Sequence, residues 1–242
     1  MTKLIIFGLI IILTCSCAGL TSKKIINGNG NRITINRSTT DYDAISLSDW
    51  FNVELVDGKE GKLTLKGEGN LLKHIITDIR NGELYLGVEQ GYQLEPSSLK
   101  EGIQVIVPVE RINSIAMSGS GNIVSKITLR SQDFNMRMSG SGDITMDLEV
   151  ETLSAAMSGS GDMNLSGRAR SFEASTSGSC NIKAYDLETD NVGATLSGSG
   201  TLKFTARKNI KARISGSGNI SYRGNPEKVD AKISGSGIIS KE

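Results

Sequence analysis

Fourteen serine hydroxyls recur at a fixed beat in the second half of this chain. They come in seven copies of Ser-Gly-Ser-Gly, the fourth of which ends in Cys180 instead of glycine. The copies begin at Ser118, Ser139, Ser158, Ser177, Ser197, Ser215 and Ser234, so the steps are 21, 19, 19, 20, 18 and 19 residues. A hydroxyl can both donate and accept a hydrogen bond. One alone holds little, but a column of them can hold a long polymer through many weak contacts at once. The candidate binding array is Ser139, Ser158, Ser197 and Ser215, with Tyr92 as the next candidate. The alternative is that these serines are small polar residues beside a tight bend.

Other chemistry has little to rest on. A serine nucleophile or a histidine metal site would depend on His74, the single histidine, which sits beside Leu72 and Ile75 and reads as a half-buried residue on a helical turn. No cysteine pair beyond the N-terminus has zinc spacing. No GxxxxGK[ST] occurs, and no GxGxxG lies between a strand and a helix. The fourth residue after each repeat serine is Asn122, Asp143, Asp162, Asn181, Thr201, Asn219 or Ile238. Calcium-binding repeats need an aspartate in every copy, so no metal is expected. A β-helical polysaccharide lyase would need long loops to build a groove around a catalytic base. Steps of 18–21 residues leave little room for them, and only the 87–102 loop, with Tyr92, Glu95, Lys100 and Glu101, could form a pocket. No catalytic residue, no cofactor and no enzyme activity are expected. The formal net charge of +1 gives no nucleic-acid footprint.

The N-terminus reads as a processing segment. Lys3 precedes a short apolar run over residues 4–13, too short to span a bilayer comfortably, and Thr14-Cys15-Ser16-Cys17-Ala18-Gly19 follows. This resembles a bacterial lipoprotein signal over residues 1–17. Lipidation is expected at Cys17, with Cys15 as the alternative; an ordinary cleaved secretory signal is the other reading. The polar stretch 18–23 is then a tether, and the lipid a membrane partner. Cys180 is left as the one thiol free to react, placed as a small buried hydrophobe, so no disulfide framework exists.

The elements that position the serines follow from a period of two. Counting from the first serine of a copy, odd offsets are apolar or glycine, as in Met136, Met138, Gly140, Gly142 and Ile144. Even offsets are polar, as in Arg137, Ser139, Ser141, Asp143 and Thr145. That alternation is a strand with one dry and one wet face. The dry row extends upstream through Phe134, Leu153, Phe172, Val192, Ile210 and Val229. A single strand cannot bury such a row, but stacked copies can. Residues 111–242 are therefore expected to form an all-β solenoid, a β-helix of about seven coils with two or three short strands each. The inward glycines imply a bend, or backbone held tightly against an opposite wall.

Residues 24–110 read as an irregular β region leading into the coils. Short strands are expected near residues 33–35, 44–47, 50–56 and 63–65, and Asn70 can cap a helical turn. Asn81-Gly82 marks a hairpin. Residues 87–102 read as a polar loop.

A cluster of motifs resembles the head GIN domain family of autotransporter adhesins. These are Phe51-Asn52-Val53-Glu54-Leu55, Gly69-Asn70-Leu71-Leu72, Asn81-Gly82-Glu83-Leu84, residues 105–108, and Ser-Gly-Ser-Gly followed by Asn122-Ile123 or Asp143-Ile144. The resemblance covers roughly residues 30–240. It implies a β-helical fold, a source among Bacteroidetes-like bacteria and a binding role at the cell envelope, and it supplies no ligand or catalytic residue. The expectation is a lipid-anchored outer-membrane protein, facing the periplasm or the cell surface, that binds a glycan or an envelope or host protein. An accessory envelope protein without its own ligand is the alternative, and a lyase-like enzyme the third reading.

Overall fold

The computed structural model describes residues 23–98 and 102–242. The chain forms an all-β solenoid of about seven turns. Its first part contains β1 (Lys24–Asn27), β2 (Arg32–Ser38), β3 (Ala44–Leu47), β4 (Asn52–Asp57), β5 (Lys62–Glu68) and the four-residue helix α1 (Gly69–Leu72). It continues with β6 (Ile75–Arg80), β7 (Glu83–Val88), β8 (Tyr92–Glu95) and β9 (Gln104–Val109). The repeats supply β10 (Ser114–Gly119), β11 (Asn122–Gly140), β12 (Asp143–Gly159), β13 (Asp162–Gly178), β14 (Asn181–Gly198) and β15 (Thr201–Gly216). The last coil is built by β16 (Asn219–Arg223), β17 (Lys228–Gly235) and β18 (Ile238–Lys241).

Each interior repeat forms one long strand that bends around the molecule, not two or three short ones. It is interrupted at the Ser-Gly-Ser-Gly corner, and the register slips at sites such as Val124 to Thr128. Neighbouring coils pair in parallel, so like residues stack: Phe134 on Leu153, then Phe172, Val192 and Ile210. All five are buried. Full burial of a side chain of this size contributes about 1.5–3 kcal/mol, and the stack repeats that gain along the axis.

The region before residue 111 is more regular than its sequence implies. β3 stacks in parallel between β7 and β10, and β4 stacks in parallel between β9 and β11. These strands add rungs to the same sheet. Antiparallel partners then lie at that end, with β6 on β7, β5 on β9 and β2 on β5. Leu71 and Leu72 of α1 join the core there. The hairpin between β6 and β7 turns at Asn81 and Gly82, with φ of 53° and 79°, as the two-residue turn of that handedness requires. Asn70 does not cap α1; its amide donates to the Asn27 carbonyl at 2.7 Å and ties down the loop after β1. The expected 87–102 loop contains β8, which pairs with β1.

Candidate functional site

The Ser-Gly-Ser-Gly corners align along the solenoid axis. Register pairs Ser118 with Ser139, then Ser158, Ser177, Ser197, Ser215 and Ser234. Ser139, Ser158, Ser197 and Ser215 are exposed, and among the described residues their hydroxyls enter no hydrogen bond within the chain. Parallel strands stack about 4.8 Å apart, so the corner displays a hydroxyl column with that repeat. Ser118, Ser177 and Ser234 complete it. They belong to the same motif, and register with their neighbours is what adds them.

The glycines let neighbouring coils approach closely at the column. The first glycine of each motif has positive φ, for example 145° at Gly140 and 123° at Gly198. A β-carbon on Gly140 would overlap the Gly119 carbonyl oxygen of the preceding coil. The second glycine meets the same obstacle: a β-carbon on Gly142 would strike the Gly121 carbonyl oxygen. What forbids a side chain is thus the adjacent coil, not an opposite wall. That close approach lets the next serine's N–H bond across coils, with Ser141 donating to Gly119 O at 2.9 Å and Ser160 to Gly140 O at 2.9 Å. Coil spacing at the corner is thereby fixed by backbone.

The asparagine and aspartate column has a coil-locking role. The Asp143 N–H donates to Asn122 Oδ1 at 3.2 Å, the Asp162 N–H to Asp143 Oδ1 at 3.0 Å, and the Thr201 N–H to Asn181 Oδ1 at 3.0 Å. Asn181 Nδ2 donates to Asp162 Oδ1 at 2.8 Å. Burial pushes the Asp162 carboxyl up, but donation from Lys183 and Asn181 outweighs it and leaves the acid below its ordinary range. No cluster of three or more His, Cys, Asp or Glu that could hold a metal occurs among the described residues.

Tyr92 stands on the two-stranded β1–β8 sheet, not on the sheet that carries the serines. Its ring is already engaged, stacked on His74 at 4.2 Å with the Lys24 ammonium 5.9 Å from its centroid. His74 Nδ1 lies 2.9 Å from Glu89 Oε2. Cys180 is buried, with its Sγ 3.7 Å from the Ser177 carbonyl oxygen, and burial pushes its thiol up. Cys15, Cys17, Lys100 and Glu101 lie outside the described residues.

A second surface emerges only from the fold. Arg130, Glu149, Arg168 and Glu188 stack in register with alternating charge, and Arg207 joins Glu188 at 2.7 Å. They line open clefts, one of about 760 Å³ and a neighbour of about 680 Å³. Arg130–Glu149 at 2.8 Å and Arg168–Glu188 at 3.2 Å pair off most of this charge. Exposed pairs of this kind contribute about 0–1 kcal/mol each.

The sequence matches the family described as "Putative auto-transporter adhesin, head GIN domain" over residues 41–226. A "putative adhesin" from Bacteroides fragilis superimposes with a TM-score of 0.79 at 23% identity, covering 90% of this chain and 100% of that one. A "putative lipid binding protein" from Parabacteroides distasonis gives 0.74 at 25% identity, with 90% and 100% covered. A "putative adhesin" from Parabacteroides merdae gives 0.69 at 22% identity, with 90% and 99% covered. No curated protein matches the chain. The family and these structures carry adhesin or lipid-binding descriptions, not enzyme ones.

Proposed function

Because the chain belongs to the head GIN domain family of auto-transporter adhesins, we propose that it is a binding module of the bacterial cell envelope. Its ligand is a long polar polymer, a glycan in the first instance, met by the serine column. The observation that carries this reading is the in-register alignment of exposed Ser139, Ser158, Ser197 and Ser215. Such a face is preorganised, so little conformational freedom is lost on binding. Weak contacts at a fixed repeat then add along one ligand.

In this reading a lipid on Cys17 anchors the module. The tether 18–23 spans at most about 20 Å, so the first strand lies close to the bilayer. The residues after Cys17 run Ala18-Gly19-Leu20-Thr21-Ser22-Lys23-Lys24 with no acid among them. Surface-exported lipoproteins of such bacteria carry acids there, so the periplasmic face is favoured over the cell surface. An accessory role without a ligand is the competing reading.

A glycan and matrix-protein binding screen on residues 23–242 tests the proposal. Saturable binding to a polymeric ligand, with little affinity for its monomer, is the expected outcome. No binding in the screen, together with co-purification of envelope proteins, would favour the accessory role.

A further inference from the structure

The two ends of the solenoid differ. The N-terminal end carries antiparallel β2 and β6 and the buried leucines of α1, with Ile33 of β2 39% exposed. The other end is bare. Among the described residues β17 pairs only with β15, and β18 only with β16. The dry row of this last coil faces solvent: Val229 is 42% exposed and Ile233 47%, whereas Ile210 and Ile214 beneath them are 2% and 3%. Ile238 is 60% exposed. An open apolar edge strand is a template for pairing, and solenoid ends need a cover to stay soluble.

We propose that a second copy of this chain covers that end, tail to tail, through β17. Two identical edges related by a two-fold axis pair antiparallel and close on themselves. β17 reads Lys-Val-Asp-Ala-Lys-Ile-Ser-Gly from Lys228 to Gly235. A two-fold axis at Ala231 sets Val229 opposite the partner's Ile233 and Asp230 opposite the partner's Lys232. The dry row then meets the dry row, and the outer row pairs opposite charges. An axis at Asp230 would oppose Asp230 to itself and Lys228 to Lys232. An axis at Lys232 would oppose that lysine to itself. Half-step registers would set dry residues against wet ones. An axis at Val229 also opposes Lys228 to Asp230 but pairs only residues 228–230 of β17, and an axis at Ile233 pairs residues 231–235 with no charge pair. The Ala231 register, which pairs residues 228–234 with two opposite-charge pairs, is thus the most complementary. A head-to-tail contact would instead meet the N-terminal end and grow an open fibre.

The test is sedimentation of residues 23–242, from roughly 1 to 100 µM, with circular dichroism to confirm folding. The wild type is expected to dimerise. Asp230→Lys and Lys232→Asp should each give monomers, and the double variant should dimerise again. Mixing the two single variants should give a heterodimer, because both lysines of the one edge then face aspartates on the other. Asp230→Lys also removes the ion pair with Arg213, whereas Lys232→Asp leaves it, so agreement between the two excludes a folding artefact. A wild type that stays monomeric at the top concentration overturns the proposal. So does dimerisation that neither single variant weakens.

Discussion

The Cε of Met138 occupies the place that a β-carbon on Gly161, in the following coil, would need. The relationship recurs: Met117 Cε lies 3.0 Å from the corresponding point at Gly142, and Ile214 Cγ2 lies 2.8 Å from that at Gly237. A long dry residue just before one corner therefore fills the space that the glycine of the next corner leaves. Gly161→Ala should destabilise by about 1–3 kcal/mol in chemical denaturation. Met138→Ala should not restore it, because the Gly142 carbonyl oxygen obstructs the same point. Gly198→Val should cost more, since its φ of 123° is also unfavourable for a side chain. Ser199→Val, on the exposed face, should change little. Equal losses at Gly198 and Ser199 would contradict the close approach of the neighbouring coil at the glycine.

Thr176 breaks the column in which Met138, Met157, Leu196 and Ile214 are its stacked equivalents. It is buried, and its hydroxyl has no hydrogen-bond partner. Thr176→Val removes the orphaned group at nearly constant shape. It should stabilise the protein by about 1 kcal/mol, read as a higher denaturation midpoint with unchanged slope. A lower midpoint would show that the hydroxyl is satisfied in solution.

Glu68 ties the loop after β1 to the segment after β8. Its carboxylate accepts the Gly30 N–H at 2.6 Å, the Ser97 N–H at 2.8 Å and the Ser97 hydroxyl at 3.0 Å. Burial pushes this acid up, but those donors and Arg32 outweigh it, and it titrates below its ordinary range. An acid lowered in the folded state stabilises fully above its unfolded pKa of about 4.3, and loses that effect as pH falls through the folded value. Glu68→Gln should thus lower the melting temperature at pH 7. The wild type should lose stability below about pH 4.3, and Glu68→Gln should flatten that decline. A parallel decline in both proteins would assign the acid sensitivity to other groups.

The alternation around Phe134, Met136 and Met138 is enough to read strands, stacking and the outward serines. Asn81-Gly82 is enough to place the hairpin. What the sequence cannot show lies between coils. Nothing local tells that Gly140 is held against the Gly119 carbonyl. Nor does anything local tell that Asp143 receives a backbone N–H, and Asp162 a side-chain amide, from the following coil. Those two aspartates look like surface ligands until register stacks them. Tyr92–Glu95 is hidden for a similar reason: its partner β1 lies far away in sequence, and four residues carry too short an alternation to mark a strand. Tyr92 consequently looks free for binding in the sequence, whereas His74 covers its ring.

Lipid anchoring rests on the Thr14-Cys15-Ser16-Cys17 segment alone. Cells fed a clickable palmitate analogue should label the wild type. Cys17→Ala should remove the label, and Cys15→Ala should leave it. Label persisting in the double variant would exclude anchoring at either cysteine. Protease shaving of intact cells then reports the face: protection is expected for a periplasmic module.

The proposed function stands on the serine column, and simultaneous replacement of its members is the sharpest probe of it. Ser139, Ser158, Ser197 and Ser215 are all exposed, so each change to alanine should shift stability by no more than about 0.5 kcal/mol. Retention of the purified protein on an immobilised glycan polymer is measured for the fourfold variant, each single variant and the wild type. Single changes should reduce binding only slightly. The fourfold variant should lose most of it, with an unchanged circular dichroism spectrum. A fourfold variant that binds like the wild type while folded alike would contradict a binding role for the column, and would reduce the serines to corner chemistry.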